Sequence, residues 1–392
     1  MAHHALTLNA EVTGWIEAGL RDVPLEAVSG AERCEPGQPV RLMAPAGALC
    51  ALAVADPENG LLRAMATAEE GHSAIDARFV RARLTRAFEL RARFGLTRER
   101  TTHRLLNSAG DGLPGIAADV YGEHAVLYAY SRGLFSLART VAEQLVESHG
   151  IAGVVIKLRG RDAAQGSIKQ EVVGQSPAEK LIVHEEGVPF EVHLLSGLNV
   201  GLFTDMREQR AQLAKISAGK RVLNTFSYTG ALSVAAARAG ATQVTSVDLA
   251  SGVQKWARAN FELSGLNPDA HQFITGEVGS VLKKAAREER SFDVIIVDPP
   301  TYSAARAGAW SMRKDYPELI TRCLALLPSG GLLWLAANGR DIAPLSQLAR
   351  DAFARAKRGG QLLSLGGLPT DYPTLPAQPD DRYLQVALFS VS

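Results

Sequence analysis

From about residue 220 the chain alternates short runs of strand formers with longer runs of helix formers. "RVLNTFS" precedes a helix over 230–239, "QVTSVD" one over 251–263 and "HQFITGE" one over 279–289. "FDVIIVD" then precedes a helix over 315–327, and "GGLLWLA" one over 343–357. Near-continuous apolar strands separated by helices demand crossover connections, so the strands run parallel and the helices cover both faces of one sheet. Ligands in such sheets sit beyond the carboxyl ends of the strands, so chemistry is expected there. The closing "RYLQVALFSV" is long enough for a last strand lying antiparallel at or near the sheet edge.

The 392 residues exceed one ordinary core, and the upstream half has a different texture. Between about 31 and 66, "PGQPVRLMAP", "ALCALAVAD" and "LLRAMAT" are separated by turn residues and predict a small β module. Ser73 is placed to cap a helix in "SAIDARFVRARLTRAFELRARFGL", whose Arg78, Arg81, Arg83, Arg86, Arg91 and Arg93 form either a solvated face or a phosphate-contacting strip. Strands around an Asp-Gly turn, a helix near 134–149, the strand "GVVIKL" and a hairpin around Glu186-Gly187 follow. The expected division is 1–72, a small β domain; 73–190, a central α/β domain with the basic connecting helix; and 191–392, the parallel-sheet domain.

A net charge of +1 exerts no global pull toward nucleic acid or anionic membrane. Cys34, Cys50 and Cys323 are odd in number and set in apolar contexts, which predicts reduced thiols rather than a disulfide frame or a metal site. A cytoplasmic location without a bound metal is expected. No apolar run reaches the roughly 18 residues a membrane helix needs, and the start lacks a basic region followed by an apolar core. His3 and His4 are expected in a frayed terminus.

Four strand ends carry the candidate chemistry. "VLNTFSYTGALS" turns tightly at Gly230, where backbone can approach a cofactor, yet it lacks the three-glycine dinucleotide pattern and a phosphate-loop lysine. Asp248 ends the second strand, where an acid can accept from ribose hydroxyls or cap a helix. Glu277 ends the third, as an acceptor for an adenine amino group or a helix-initiating acid. Asp298-Pro299-Pro300 ends the fourth: two prolines donate no hydrogen bonds and hold the chain extended, leaving carbonyls and a carboxylate as acceptors for an amino group on a flat ring. Tyr302 can stack on such a ring, worth about 1–3 kcal/mol per base. Upstream, "GLNVGLFTDMREQRAQL" offers Phe203, Asp205, Arg207 and Arg210 as a lid, or as surface charges and a cap.

Together these pieces resemble the PUA-containing class I S-adenosylmethionine-dependent methyltransferases of 23S ribosomal RNA, in architecture the cytosine-C5 group. "DGLPGIAADVYG", "GLFTDMR", "VLNTFSYTG", "SVDLA", "DPPTY" and "DYPTLPAQPDDRYLQ" stand in that family's order. The resemblance implies a Rossmann-like, mostly parallel seven-stranded sheet after a PUA-like β domain and a central α+β domain. It implies S-adenosylmethionine held by Phe203, Asp205, Arg207, Asn224, Phe226, Ser227, Tyr228, Thr229, Gly230, Asp248, Leu249, Glu277 and Asp298, and large-subunit ribosomal RNA or its assembly precursor as partner. A homodimer is also allowed for. The C5 group needs a thiolate from the end of the strand "GGLLWLAANGR"; here that position reads Asn338. Cys323 sits in the helix "PELITRCLALLP" on its packed face. "DPPTY" with "ANGR" resembles instead the guanine-N7 half of bifunctional 23S rRNA enzymes, so Asn338, Asp298 and Tyr302 are expected to hold a purine, with Arg340 on a phosphate. The alternatives are cytosine-C5 transfer, an inactive RNA-binding or ribosome-assembly factor, and a small-molecule methyltransferase.

Overall fold

The computed structural model of the chain describes residues 4–159, 170–300, 302–305, 308–339 and 342–392, with 302–305, 308–311 and 313–314 by their backbone alone. It divides into two compact units: residues 1–187, 192–200 and 370–381 form the first, and 188–191, 201–369 and 382–392 the second.

In the first unit, the five-stranded sheet of the N-terminal β module runs in the order His4–Thr7, Pro39–Met43, Leu49–Asp56, Leu61–Thr67, Asp22–Pro24. His4 therefore opens a strand, paired parallel with Val40, where a frayed end was expected. The basic helix spans Ala77–Arg93 and is capped by Asp76, whose Oδ1 accepts the Phe79 N–H at 2.9 Å, rather than by Ser73. Its apolar stripe, with the helix Phe135–His149, covers one face of a second five-stranded sheet built from His103–Asn107, Ile116–Tyr121, His124–Ala129, Gly153–Leu158 and Gln170–Gly174.

The second unit is the alternating region. Its seven-stranded sheet runs Gln272–Thr275, Gln243–Asp248, Arg221–Thr225, Val294–Val297, Leu332–Asn338, Leu384–Val391, Gly360–Gly366. The first five pair in parallel, and Leu384–Val391 runs antiparallel between Leu332–Asn338 and Gly360–Gly366. The last strand thus lies one place in from the edge, which belongs to Gly360–Gly366, a strand the sequence pattern did not single out. Order reverses between Arg221–Thr225 and Val294–Val297, so the crevice opens beyond Thr225 and Val297, where the helices to either side leave opposite faces. Val294, Ile295, Ile296 and Val297 have no exposed surface. Buried on both faces, this strand presents only its polar end, Asp298, toward the crevice.

Candidate active site

The loop from Phe226 to Gly230, after the first strand, is wound against the preference of its residues. Phe226 (φ 57°), Tyr228 (φ 47°) and Gly230 (φ 79°) are all left-handed. For the two aromatics that costs on the order of 1–3 kcal/mol each, and such strain persists only where neighbours over-determine it. They do: the Ser227 N–H donates to the Val247 carbonyl at 2.8 Å and the Tyr228 N–H to Asp248 Oδ2 at 2.9 Å. Asn260 Nδ2 donates to the Thr229 carbonyl at 2.8 Å, and Thr229 Oγ1 to the Gly201 carbonyl. A Cβ on Gly230 would lie 2.9 Å from the Ala257 Cβ. Glycine is therefore required there by φ and by the neighbouring helix Ser251–Leu263 as well as by any ligand.

Asp248 organises this loop from the second strand, accepting from Tyr228 and, at 3.1 Å, from the Ala250 N–H. Leu249 beside it is 60% exposed, an apolar rim. Glu277 is exposed and caps the helix Val278–Arg287, its two oxygens accepting the Gly279 and Ser280 N–H groups at 2.7 and 2.6 Å. Although partial burial opposes it, these bonds and Arg322 hold its carboxyl below the usual range. Asn224 has no exposed surface; its Nδ2 donates to Ser233 Oγ at 2.9 Å, and Ser246 Oγ reaches the same oxygen at 2.8 Å. It ties its strand to the helix Ala231–Arg238 that follows the loop.

The other half of the crevice gathers acids. Asp205, in the turn Thr204–Met206, is buried, and its Oδ2 accepts the Tyr383 hydroxyl at 3.1 Å. Burial and, more weakly, the charge of Asp205 push Asp298 up to about 7. Phe203 is exposed, its ring 5.3 Å from that of Tyr228, which lies 6.3 Å from that of Trp256. Arg207 follows Asp205 with its guanidinium 3.7 Å from Glu208, and Arg210 Nη2 donates to the Phe203 carbonyl at 2.8 Å. Asn338 ends its strand exposed, opposite Leu384. Beneath these strand ends Tyr316, with no exposed surface, places its hydroxyl 2.6 Å from the Ala336 carbonyl and 3.1 Å from that of Val297. The Tyr302 side chain, Arg340 and the side chains of Arg313 and Lys314 lie outside the described residues.

Cys323 packs among Tyr316, Leu319 and Leu326 with no exposed surface, and burial pushes its thiol up to about 12. A thiol held protonated in a sealed core is neither nucleophile nor ligand. Among the described residues no cluster of His, Cys, Asp and Glu can hold a metal, and no helix is long and apolar enough to cross a membrane.

Tyr316 and Tyr383 were not singled out in the sequence. The legible signal was small: one tyrosine hydroxyl in the helix Met312–Leu324, and one at the mouth of the last strand. Each needs a partner when buried.

A doubly wound sheet with a strained first loop, an acid ending the second strand and Asp-Pro-Pro ending the fourth defines a nucleotide-type group-transfer enzyme of the class I methyltransferase kind. Residues 123–364 match the S-adenosylmethionine-dependent methyltransferase family, and the chain belongs to it. The chain is 32% identical to ribosomal RNA large subunit methyltransferase I of Shewanella frigidimarina, over 79% of this chain and 80% of that one. It is 34% identical to ribosomal RNA large subunit methyltransferase K of Neisseria meningitidis serogroup B, over 61% and 69%. The crystal structure of SMU.776 complexed with SAH, 26% identical, superposes with a TM-score of 0.87 over 99% of this chain and 100% of that one. The methyl donor is S-adenosylmethionine.

Proposed function

We propose that the enzyme methylates a base of large-subunit ribosomal RNA at a purine nitrogen, guanine first. The observation that carries the choice of atom is Asn338, exposed at the end of its strand where a C5 enzyme needs a thiolate, while Cys323 is sealed in the core. Cytosine C5 requires covalent activation. A ring nitrogen already has a lone pair and needs only alignment with the methyl–sulfur bond. In this reading Asp298 and the Pro299 carbonyl hold an amino group of the base, Tyr302 stacks on it and Asn338 fixes its edge.

The crevice suits the cofactor. S-adenosylmethionine carries an ammonium and a sulfonium, and two neighbouring buried acids favour a cation between them over their own ionisation alone. Asp205 and Asp298 would receive the ammonium. Phe203, Tyr228 and the exposed Leu249 supply apolar surface to the nucleoside, with Asp248 and Glu277 at the ribose and adenine edges. The Phe226–Gly230 loop lets backbone come close, with Arg207 toward a carboxylate.

The named relatives and the surface of the first unit support RNA as substrate. Of the helix arginines, Arg83 and Arg91 are buried, whereas Arg78, Arg81, Arg86 and Arg93 are exposed along the helix, Arg93 adjoining Phe94, which is 53% exposed. Exposed cations beside an aromatic fit a phosphate chain and an unstacked base. A PUA-like role for residues 1–72, a central domain over 73–190 and the transferase over 191–392, working in the cytoplasm, complete the proposal. So does a homodimer, which the uncharged outer strand Gly360–Gly366, exposing Leu362, Leu363 and Leu365, favours. Light scattering checks the last point.

Mass spectrometry of ribosomal RNA from a strain lacking the gene tests the reading. Loss of one methylated purine in the large subunit is expected. Loss of a 5-methylcytosine would instead assign C5 transfer, and an unchanged set of modifications would overturn ribosomal RNA as substrate.

A further inference from the structure

We propose that Tyr383 is a positioning residue that holds Asp205 in place to receive the cofactor's ammonium while tying it to the strand end that presents the target base. The proposal rests on the reading of Asp205 and Asp298 as the cofactor's acids. Tyr383 lies half-buried just before the strand Leu384–Val391. Its carbonyl accepts the Gly339 N–H at 2.9 Å, extending by one bond the pairing of Asn338 with Leu384. Its hydroxyl donates to Asp205 Oδ2 at 3.1 Å. One residue therefore touches the base-facing strand through its backbone and the cofactor-facing acid through its side chain.

The chemistry explains why the donor is a phenol. A buried carboxylate needs a hydrogen-bond donor to stay in place. The Tyr383 hydroxyl orients Oδ2 of that carboxylate without adding a charge of its own beside it. Because the ring is anchored by backbone pairing on the far side, the hydroxyl is delivered from a strand that cannot move without moving Gly339.

Tyr383→Phe keeps the ring and the backbone bond to Gly339, and removes only the hydroxyl. Calorimetry compares S-adenosylhomocysteine with 5′-methylthioadenosine, which has the nucleoside but no amino-acid end and is read by competition. The variant should bind S-adenosylhomocysteine about tenfold more weakly, the scale of one hydrogen bond to a charged group. Its affinity for 5′-methylthioadenosine and its melting temperature should not change. Equal weakening of both ligands, unchanged affinity for S-adenosylhomocysteine, or a lowered melting temperature with both affinities intact would each overturn the assignment and make Tyr383 a residue of the fold alone. Failure of the wild-type chain to bind S-adenosylhomocysteine would instead remove the underlying cofactor reading.

Discussion

Buried charge is handled in opposite ways in the two units. In the first, buried arginines meet acids: Arg91 grips Asp111 with two bonds at 2.5 and 2.8 Å, Arg104 grips Asp119 at 2.7 and 3.2 Å, and Arg63 lies 2.8 Å from Asp22 and 2.7 Å from Asp56. In the second, Asp298 has another acid, Asp205, as the charge acting on it. Pairing satisfies a charge for the sake of the fold. A carboxyl raised by burial and by a neighbouring acid is characteristic of a functional cleft, which marks the crevice as the working end of the molecule.

The largest effect expected from this comparison belongs to the first unit. Asp111→Ala leaves the Arg91 guanidinium buried without its carboxylate and also removes the acceptor of the Asn107 N–H, 2.6 Å away. Urea denaturation should show a loss of about 3–5 kcal/mol. A loss under about 1 kcal/mol, the scale of exposed pairs, would mean that the pairing in the first unit is incidental and would dissolve the contrast.

Next is Asn338→Ala, which tests the base-facing side. Turnover should fall by about 10²-fold, the scale of one positioned donor at a reacting group, while affinity for S-adenosylhomocysteine stays within about twofold. If both fall together, Asn338 belongs to the cofactor side, as a turn residue before Gly339 that shapes the loop.

The acid pair predicts a pH dependence of its own. Asp298, raised to about 7 by burial and by Asp205, also acts on the buried hydroxyl of Tyr316. Between the ordinary carboxyl range and pH 7 the folded chain holds a proton at Asp298 that the unfolded chain has released. The stability this gives is complete at the acid end and is lost as pH rises through 7. A cationic ligand reverses the preference, so its binding below pH 7 must expel that proton. Calorimetry should show affinity for S-adenosylmethionine rising by roughly tenfold from pH 6 to pH 8, with proton release at the lower pH. Asp298→Asn should bind weakly at every pH with a flat profile. A wild-type profile equally flat would show that the pair is not where the cation sits.

The sequence exposed this working end better than it exposed the charges of the first unit, for a physical reason. Strand ends in a parallel sheet are announced locally: "VIIVDPP" carries its burial and its stop within seven letters, and Asp248 and Gly230 stand at fixed remove from their strands. The burial of Arg83 and Arg91 is not local, since their acids, Glu70 and Asp111, lie 13 and 20 residues away along the chain. Nor is the insertion of Leu384–Val391 between two other strands, because "GQLLSLGG" reads as a short apolar run between glycines and only its pairing with the last strand makes it the edge. Glu277 and Asp248 were legible as acids with two readings each, and the backbone they cap was settled only by coordinates. Tyr316 and Tyr383 act through hydroxyls on carbonyls and a carboxylate 19 to 178 residues distant. No window of sequence contains such pairs.

The smallest effect is the one that separates this enzyme from a C5 chemistry most cleanly. Cys323→Ser replaces a thiol with no exposed surface by a hydroxyl of smaller volume among Tyr316, Leu319 and Leu326. The change costs the fold about 1–2 kcal/mol, from a small cavity and a polar group buried in apolar surroundings. Turnover should be unchanged, because a nucleophile must ionise and reach the crevice, and a sealed thiol held at about 12 does neither. Thermal melting and a methyl-transfer assay on the same preparation read the two halves. Lost stability with full activity keeps Cys323 in the core and the target a ring nitrogen. Abolished activity with an intact melting transition would move the nucleophile to Cys323 and, with it, the target to cytosine C5.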